Sequence, residues 1–129
     1  MGLIYQTLEL RGRKRKRKVR ILMDSGSTHS LIREDIARDL GELHDLPEPK
    51  EFHSVVGEFT AREGVMADVV VRRHRLMTHF TAVRSLTEEA ILGVDFFERY
   101  HIRLDPKRKR LILDPDALVN KAGGGRHRA

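Results

Sequence analysis

The sequence has no cysteine and no tryptophan, and only two tyrosines, five phenylalanines and four prolines. Without cysteine there is no disulfide scaffold, no thiolate metal site and no cysteine nucleophile. The composition fits a reducing compartment, and a cytoplasmic location is expected. No apolar stretch approaches the ~20 residues needed to cross a bilayer, so no membrane partner is expected. The first residues lack the basic and long apolar segments of a signal peptide. Acidic residues are the minority sign, 19 against 25 Lys and Arg, for a net charge of +6. The length of 129 residues suits one domain.

The positive excess is local. Arg11-Gly12-Arg13-Lys14-Arg15-Lys16-Arg17-Lys18 carries seven positive charges, and subtracting them from +6 leaves −1. Smaller clusters, Arg72-Arg73-His74-Arg75 and Lys107-Arg108-Lys109-Arg110, fall between segments that read as strands. All three are expected at solvated hairpin turns. No aromatic residue is interleaved with them, so base stacking and a nucleic-acid partner are not expected.

Alternating apolar and polar residues predict strands over residues 3–10 and 19–23, joined by the basic turn at Gly12. Leu31, Ile32, Ile36 and Leu40 recur at helical spacing, which predicts a helix over 30–41 with Ser30 as N-cap and Gly41 as stop. Pro47 and Pro49 predict a loop. Residues 52–71 read as a long β-hairpin turning at Gly57, and 76–83 as another strand. Residues 90–93 form a short apolar run ended by glycine, with a helical turn over 94–100. Two short strands flank the turn at Lys107. From Pro115 the pattern fades. The expected organisation is one domain over 1–114 and a flexible tail over 115–129, mainly β with one or two short helices.

The chemical candidate is Ile21-Leu22-Met23-Asp24-Ser25-Gly26-Ser27, a carboxylate at the end of an apolar strand, followed by a glycine that permits a sharp turn. Such a carboxylate is costly unless hydrogen bonds or a second group stabilise it. A chymotrypsin-like use of Asp-Ser-Gly needs His and Asp earlier in the chain, and none precedes Asp24. An Asp-x-Gly-Ser phosphate turn of the actin and Hsp70 type needs two large α/β domains, more than this length holds.

The surroundings agree with a third use. The sequence resembles the retropepsin-like aspartic proteases, a family of retroviral, retrotransposon and bacterial single-domain enzymes. The segment 22–32 looks like the family's catalytic turn, and Val55-Val56-Gly57-Glu58-Phe59 sits where the family carries its flap. Ala90-Ile91-Leu92-Gly93 resembles the second signature, two hydrophobic residues before Gly, 69 residues after Asp24.

The resemblance implies a closed acid-protease barrel working as a C2 homodimer, because this chain has one Asp-Ser-Gly turn where a pepsin-like chain has two. Each chain would bring one Asp24, and the two carboxylates would share a proton and activate water. Ser25 would hydrogen-bond across the dimer, Gly26 would allow close approach, and Ser27 would donate to the Asp24 carboxylate. Many retroviral relatives have Ala at that last position. Val55, Val56, Gly57 and Glu58 would close over an extended peptide. Residues 91–93 would support the turn from beneath, and the N-terminal strand with 111–119 would form the interface. No metal and no cofactor are implied. The expected activity is that of an aspartic endopeptidase; the alternative is a catalytically silent module of the same fold that dimerises or binds peptides. Asp95 reads as a helix N-terminal charge, His29 as a packing or surface residue, and Phe96, Phe97 and Tyr100 as core.

Overall fold

The computed structural model describes residues 3–54 and 57–121. Nine strands and three short helices follow in the order β1 (Ile4–Arg11), β2 (Lys16–Met23), β3 (Leu31–Arg33), α1 (Glu34–Leu40), β4 (His44–Ser54), β5 (Gly57–Val71), β6 (His74–Val83), β7 (Ala90–Leu92), α2 (Val94–Arg99), β8 (Arg103–Asp105), β9 (Arg110–Ile112) and α3 (Pro115–Lys121). Six strands, in the order β1-β2-β7-β3-β6-β5, close into a barrel because β5 returns to pair with β1. The closing register, Glu9 with Val70 and Leu10 with Val69, joins segments sixty residues apart. β4 pairs with β5 outside that ring, and β8 with β9 forms a separate hairpin.

Alternation fills the barrel. Along β2, Val19, Ile21 and Met23 are buried while Lys18 and Arg20 are exposed, as the two-residue period of a strand requires. Leu10, Leu76, Phe80 and Leu92 meet them in one core. Phe96, Phe97 and Tyr100 close its end from α2, as expected of core residues. The basic runs sit at the expected turns, between β1 and β2, β5 and β6, and β8 and β9. Among them Arg15 and Arg17 pair with Asp39, Arg75 with Asp68 and Arg108 with Asp105.

Three expectations are corrected. The helix starts only at Glu34, because Leu31 and Ile32 form ladder pairs with β6 and β7 instead of a helical turn. Ser30 is therefore no N-cap; Gly41 does end the helix, its N–H donating to the Ala37 carbonyl. Pro47 and Pro49 lie inside β4, where the register slips between Asp45 and Lys50 and the missing N–H groups are tolerated. Gly57 opens β5 opposite Ser54, at the end of the β4–β5 hairpin where the turn is expected, and residues 55 and 56 lie outside the described residues. Residues 115–121 form α3 instead of a tail, and Leu118 is fully buried in the core, so the folded unit runs past 114. Residues 122–129 lie outside the described residues.

A histidine pair joins β4 to the barrel. His79 on β6 lays its ring over Gly64 of β5 and reaches His44, Nε2 to Nε2 at 2.9 Å. A Cβ on Gly64 would stand 2.5 Å from that ring. Burial first, then the neighbouring His44 and Lys50, hold the His79 imidazole below its ordinary 6.5, with Asp95 opposing. The unfolded chain then takes up a proton near pH 6.5 while the folded one resists it. Stability is whole above that pH and is lost as pH falls from 6.5 towards the lowered folded value. The melting temperature of the wild type is expected to fall between pH 7.5 and pH 5 more steeply than that of His79→Gln. Equal slopes would show that the pair carries no such linkage.

Candidate active site

The strand β2 delivers Asp24 to its own end. The Asp24 N–H donates to the Leu92 carbonyl at 2.9 Å, continuing the parallel pairing of β2 with β7 by one residue. The chain then turns, with Ser27 N–H donating to the Asp24 carbonyl at 3.0 Å. Gly26 N–H donates to Asp24 Oδ1 at 2.9 Å, which fixes the carboxylate of this half-buried side chain. Ser27 does not do so: its hydroxyl donates to the His29 carbonyl at 2.7 Å. The expected side-chain donor to Asp24 is thus replaced by a backbone amide, because the turn brings the Gly26 N–H into line while Ser27 points down the following segment.

Beneath the turn lies Gly93. A Cβ there would press on the Ser27 carbonyl oxygen and stand 2.7 Å from the His29 oxygen, both backbone atoms. Val94 N–H, next along, donates to Ser27 O at 2.7 Å. Leu92 and Gly93 therefore brace the turn through their backbone, while the Ile91 side chain lines the cleft instead. Ser30 and Asp95 complete the tie: the buried Ser30 hydroxyl donates to Asp95 Oδ1 at 2.7 Å, Ser30 N–H donates to Oδ2 at 3.1 Å, and Gly93 N–H donates to Ser30 Oγ at 3.1 Å. Asp95 also accepts from Phe96 N–H in the first turn of α2. It is a helix N-terminal charge, as expected, but its larger part is to lock the segment after the turn to α2.

Asp24, Gly26 and Ser27 face a cleft of about 940 Å³, at the upper end of the size of small-molecule pockets. Its floor is apolar. Leu31, Ala61 and Val83 form a second buried cluster, distinct from the barrel core, with Phe52, Phe59, Leu86 and Ile91 packed on it. Alternation again explains the split: Ile32 and Leu92 point into the barrel, Leu31 and Ile91 into the cleft. Phe52 and Phe59 stack with centroids 5.5 Å apart, and His29 meets Phe52 edge-on at 6.2 Å. His29 lines the cleft and packs on Phe52, the packing half of its expected role. Ser25 is exposed at the tip of the turn. Val55 and Val56 lie outside the described residues; Gly57 and Glu58 pair with Ser54 and His53 at the end of the β4–β5 hairpin, whose Phe52 and Phe59 reach the cleft. Among the described residues no three His, Cys, Asp or Glu side chains converge to hold a metal ion, and no helix is long and apolar enough to cross a membrane.

A family described as "gag-polyprotein putative aspartyl protease" matches residues 10–99, from the end of β1 to the end of α2. The chain belongs to this aspartyl protease family. Its retropepsin-like fold recurs in solved structures. The retroviral protease-like domain of Ddi1 from Leishmania major is 19% identical with a TM-score of 0.61, over 88% of this chain and 86% of that one. EIAV protease complexed with the inhibitor HBY-793 is 13% identical with a TM-score of 0.63, over 81% of this chain and 93% of that one. No curated protein matches the sequence.

The cleft draws on residues that the motifs leave out. Lys50, Glu51 and Phe52 come from β4, Phe59 from β5, and Ser85 to Glu88 from the loop before β7. Nothing local marks them. Ser30 carried a weaker signal, a polar residue set directly before Leu31 and Ile32 and buried with them.

Proposed function

We propose that the chain is a homodimeric aspartic endopeptidase, hydrolysing peptide bonds with a water activated between the Asp24 carboxylates of two copies. The observation that carries this reading is the Asp24 carboxylate, fixed by the Gly26 amide at the mouth of a cleft with an apolar floor. One such turn per chain is half a dyad, and a two-fold axis through the turn supplies the other half. Of the two carboxylates, held close, one is ionised and one protonated. The ionised one takes a proton from water as its oxygen attacks the scissile carbonyl, and the protonated one gives its proton to the carbonyl oxygen. The tetrahedral intermediate collapses as the first carboxyl gives the amide nitrogen the proton it took from water, the C–N bond breaks, and a hydroxyl of the intermediate returns a proton to the second carboxylate, which restores the dyad.

Ser25, exposed at the tip of the turn, hydrogen-bonds across that axis in this reading, and Gly26 lets the two turns approach. The substrate lies as an added strand in the cleft, with alternate side chains on the Phe52–Phe59 shelf. The hairpin end carrying Val55, Val56, Gly57 and Glu58 closes over it as a flap. Leu3 and Ile112 are large apolar side chains left exposed in the interface regions of the N-terminal strand and residues 111–119. Lack of cysteine fits the reducing cytoplasm, where we place the protein.

Cleavage of an unbiased peptide mixture between weakly acid and neutral pH tests this reading, with protein mass followed over the same concentrations. Activity should rise with the dimer fraction and be best at mildly acidic pH. A monomer that is active at every concentration, or a rate that keeps rising above neutral pH, overturns it. A folded dimer that cuts nothing leaves the silent peptide-binding module.

A further inference from the structure

Glu88 stands out among the groups facing the cleft. It lies in the loop between β6 and β7, half-buried, and its Oε2 accepts a hydrogen bond from the Tyr5 hydroxyl at 2.8 Å. Tyr5 is itself held. It sits on β1 opposite Leu22, two residues before Asp24, with the Arg20 guanidinium 3.6 Å from its ring centroid. The loop is clamped at the next residue too: Arg20 N–H donates to Glu89 Oε1 at 2.8 Å, and Arg33 N–H donates to the Glu89 carbonyl at 3.0 Å. The Glu88 carboxylate is thus fixed on the cleft wall. Hydrogen bonding to that carboxylate raises the Tyr5 hydroxyl above its ordinary value, as an anion close by should.

Arg20 covers the tyrosine ring, and among the described residues no Lys, Arg or His nitrogen pairs with Glu88. The other charges lining the cleft are Asp24, Lys50 and Glu51. Acidic groups therefore outnumber basic ones there, although the whole chain carries +6. An immobilised, partly desolvated carboxylate that forms no ion pair, with the nearby Arg20 guanidinium engaged on Tyr5, is best satisfied by a cation that the ligand brings.

We propose that Glu88 sets the specificity of the cleft by receiving a lysine or arginine side chain of an extended peptide, whose neighbouring apolar side chain rests on the Phe52–Phe59 shelf. Tyr5 is a positioning residue that aims the carboxylate. The inference rests on the peptide cleft of the proposed function, but not on hydrolysis.

The test uses a positional peptide set in which one residue at a time is Lys, norleucine or Glu, with equilibrium binding and cleavage measured separately. At one position the wild type should favour Lys over norleucine by about tenfold, as a charge-assisted hydrogen bond in a partly open site allows. The ratio should fall to about one in Glu88→Gln and turn towards Glu in Glu88→Lys. Tyr5→Phe should narrow the ratio without reversing it, and added salt should weaken it. A Lys preference unchanged in Glu88→Gln, no Lys preference in the wild type, or no binding of any peptide overturns the proposal. Selective binding without cleavage upholds it and removes hydrolysis instead. Cleavage without Lys preference does the reverse.

Discussion

Replacing Asp24 by Asn is expected to lower peptide hydrolysis by about a thousandfold, the scale of a lost general base, while melting temperature and dimer mass stay at wild-type values. The carboxamide keeps the shape of the side chain, and its oxygen still accepts the Gly26 N–H that now reaches Oδ1 at 2.9 Å. The side chain is only half-buried, so little desolvation changes. What Asn cannot do is take a proton from water. Cleavage rates beside thermal unfolding curves check this. A variant retaining more than about a tenth of wild-type activity would remove Asp24 from the chemistry.

Gly93→Ala should have the largest effect of any single methyl group near the site. The added carbon meets the carbonyl oxygens of Ser27 and His29, and the His29 carbonyl carbon at 3.0 Å. These are backbone atoms, with no rotamer to escape into, so the turn must shift and the 2.7 Å hydrogen bond from Val94 N–H to Ser27 O is lost or bent. An overpacking cost of about 3 kcal/mol is expected, or a melting temperature lower by roughly 10 °C for a domain of this size. Cleavage should fall further than the folded fraction does, because the part that moves carries Asp24. Wild-type melting and turnover in Gly93→Ala would mean that β7 does not brace the turn.

The two short motifs were legible because their physics is local. Asp24-Ser25-Gly26 needs only a strand end and a tight turn, and Ala90-Ile91-Leu92-Gly93 shows both its alternation and its close approach in four residues. The misread helix shows the limit. Leu31, Ile32, Ile36 and Leu40 fit a helical stripe, yet Leu31 and Ile32 are both buried because a strand there has the barrel core on one face and the cleft floor on the other. Pro115 reads as a break, but it is the first residue of α3, a position where the missing N–H costs nothing. Barrel closure, with Glu9 meeting Val70, and the cleft wall, gathered from β4, β5 and the loop before β7, depend on contacts distant in sequence, which no local pattern announces. Resemblance alone points the Ser27 hydroxyl at Asp24, and turn geometry sends it to the His29 carbonyl.

The claim that two chains share one site is tested most directly by mixing. Wild-type protein, co-refolded with an equal amount of Asp24→Asn so that subunits exchange, should form about one quarter wild-type dimers. Activity per wild-type chain should then fall to about one half, and further as the variant is added in excess. Activity per wild-type chain that stays constant at every ratio would contradict a dyad built from two copies of Asp24.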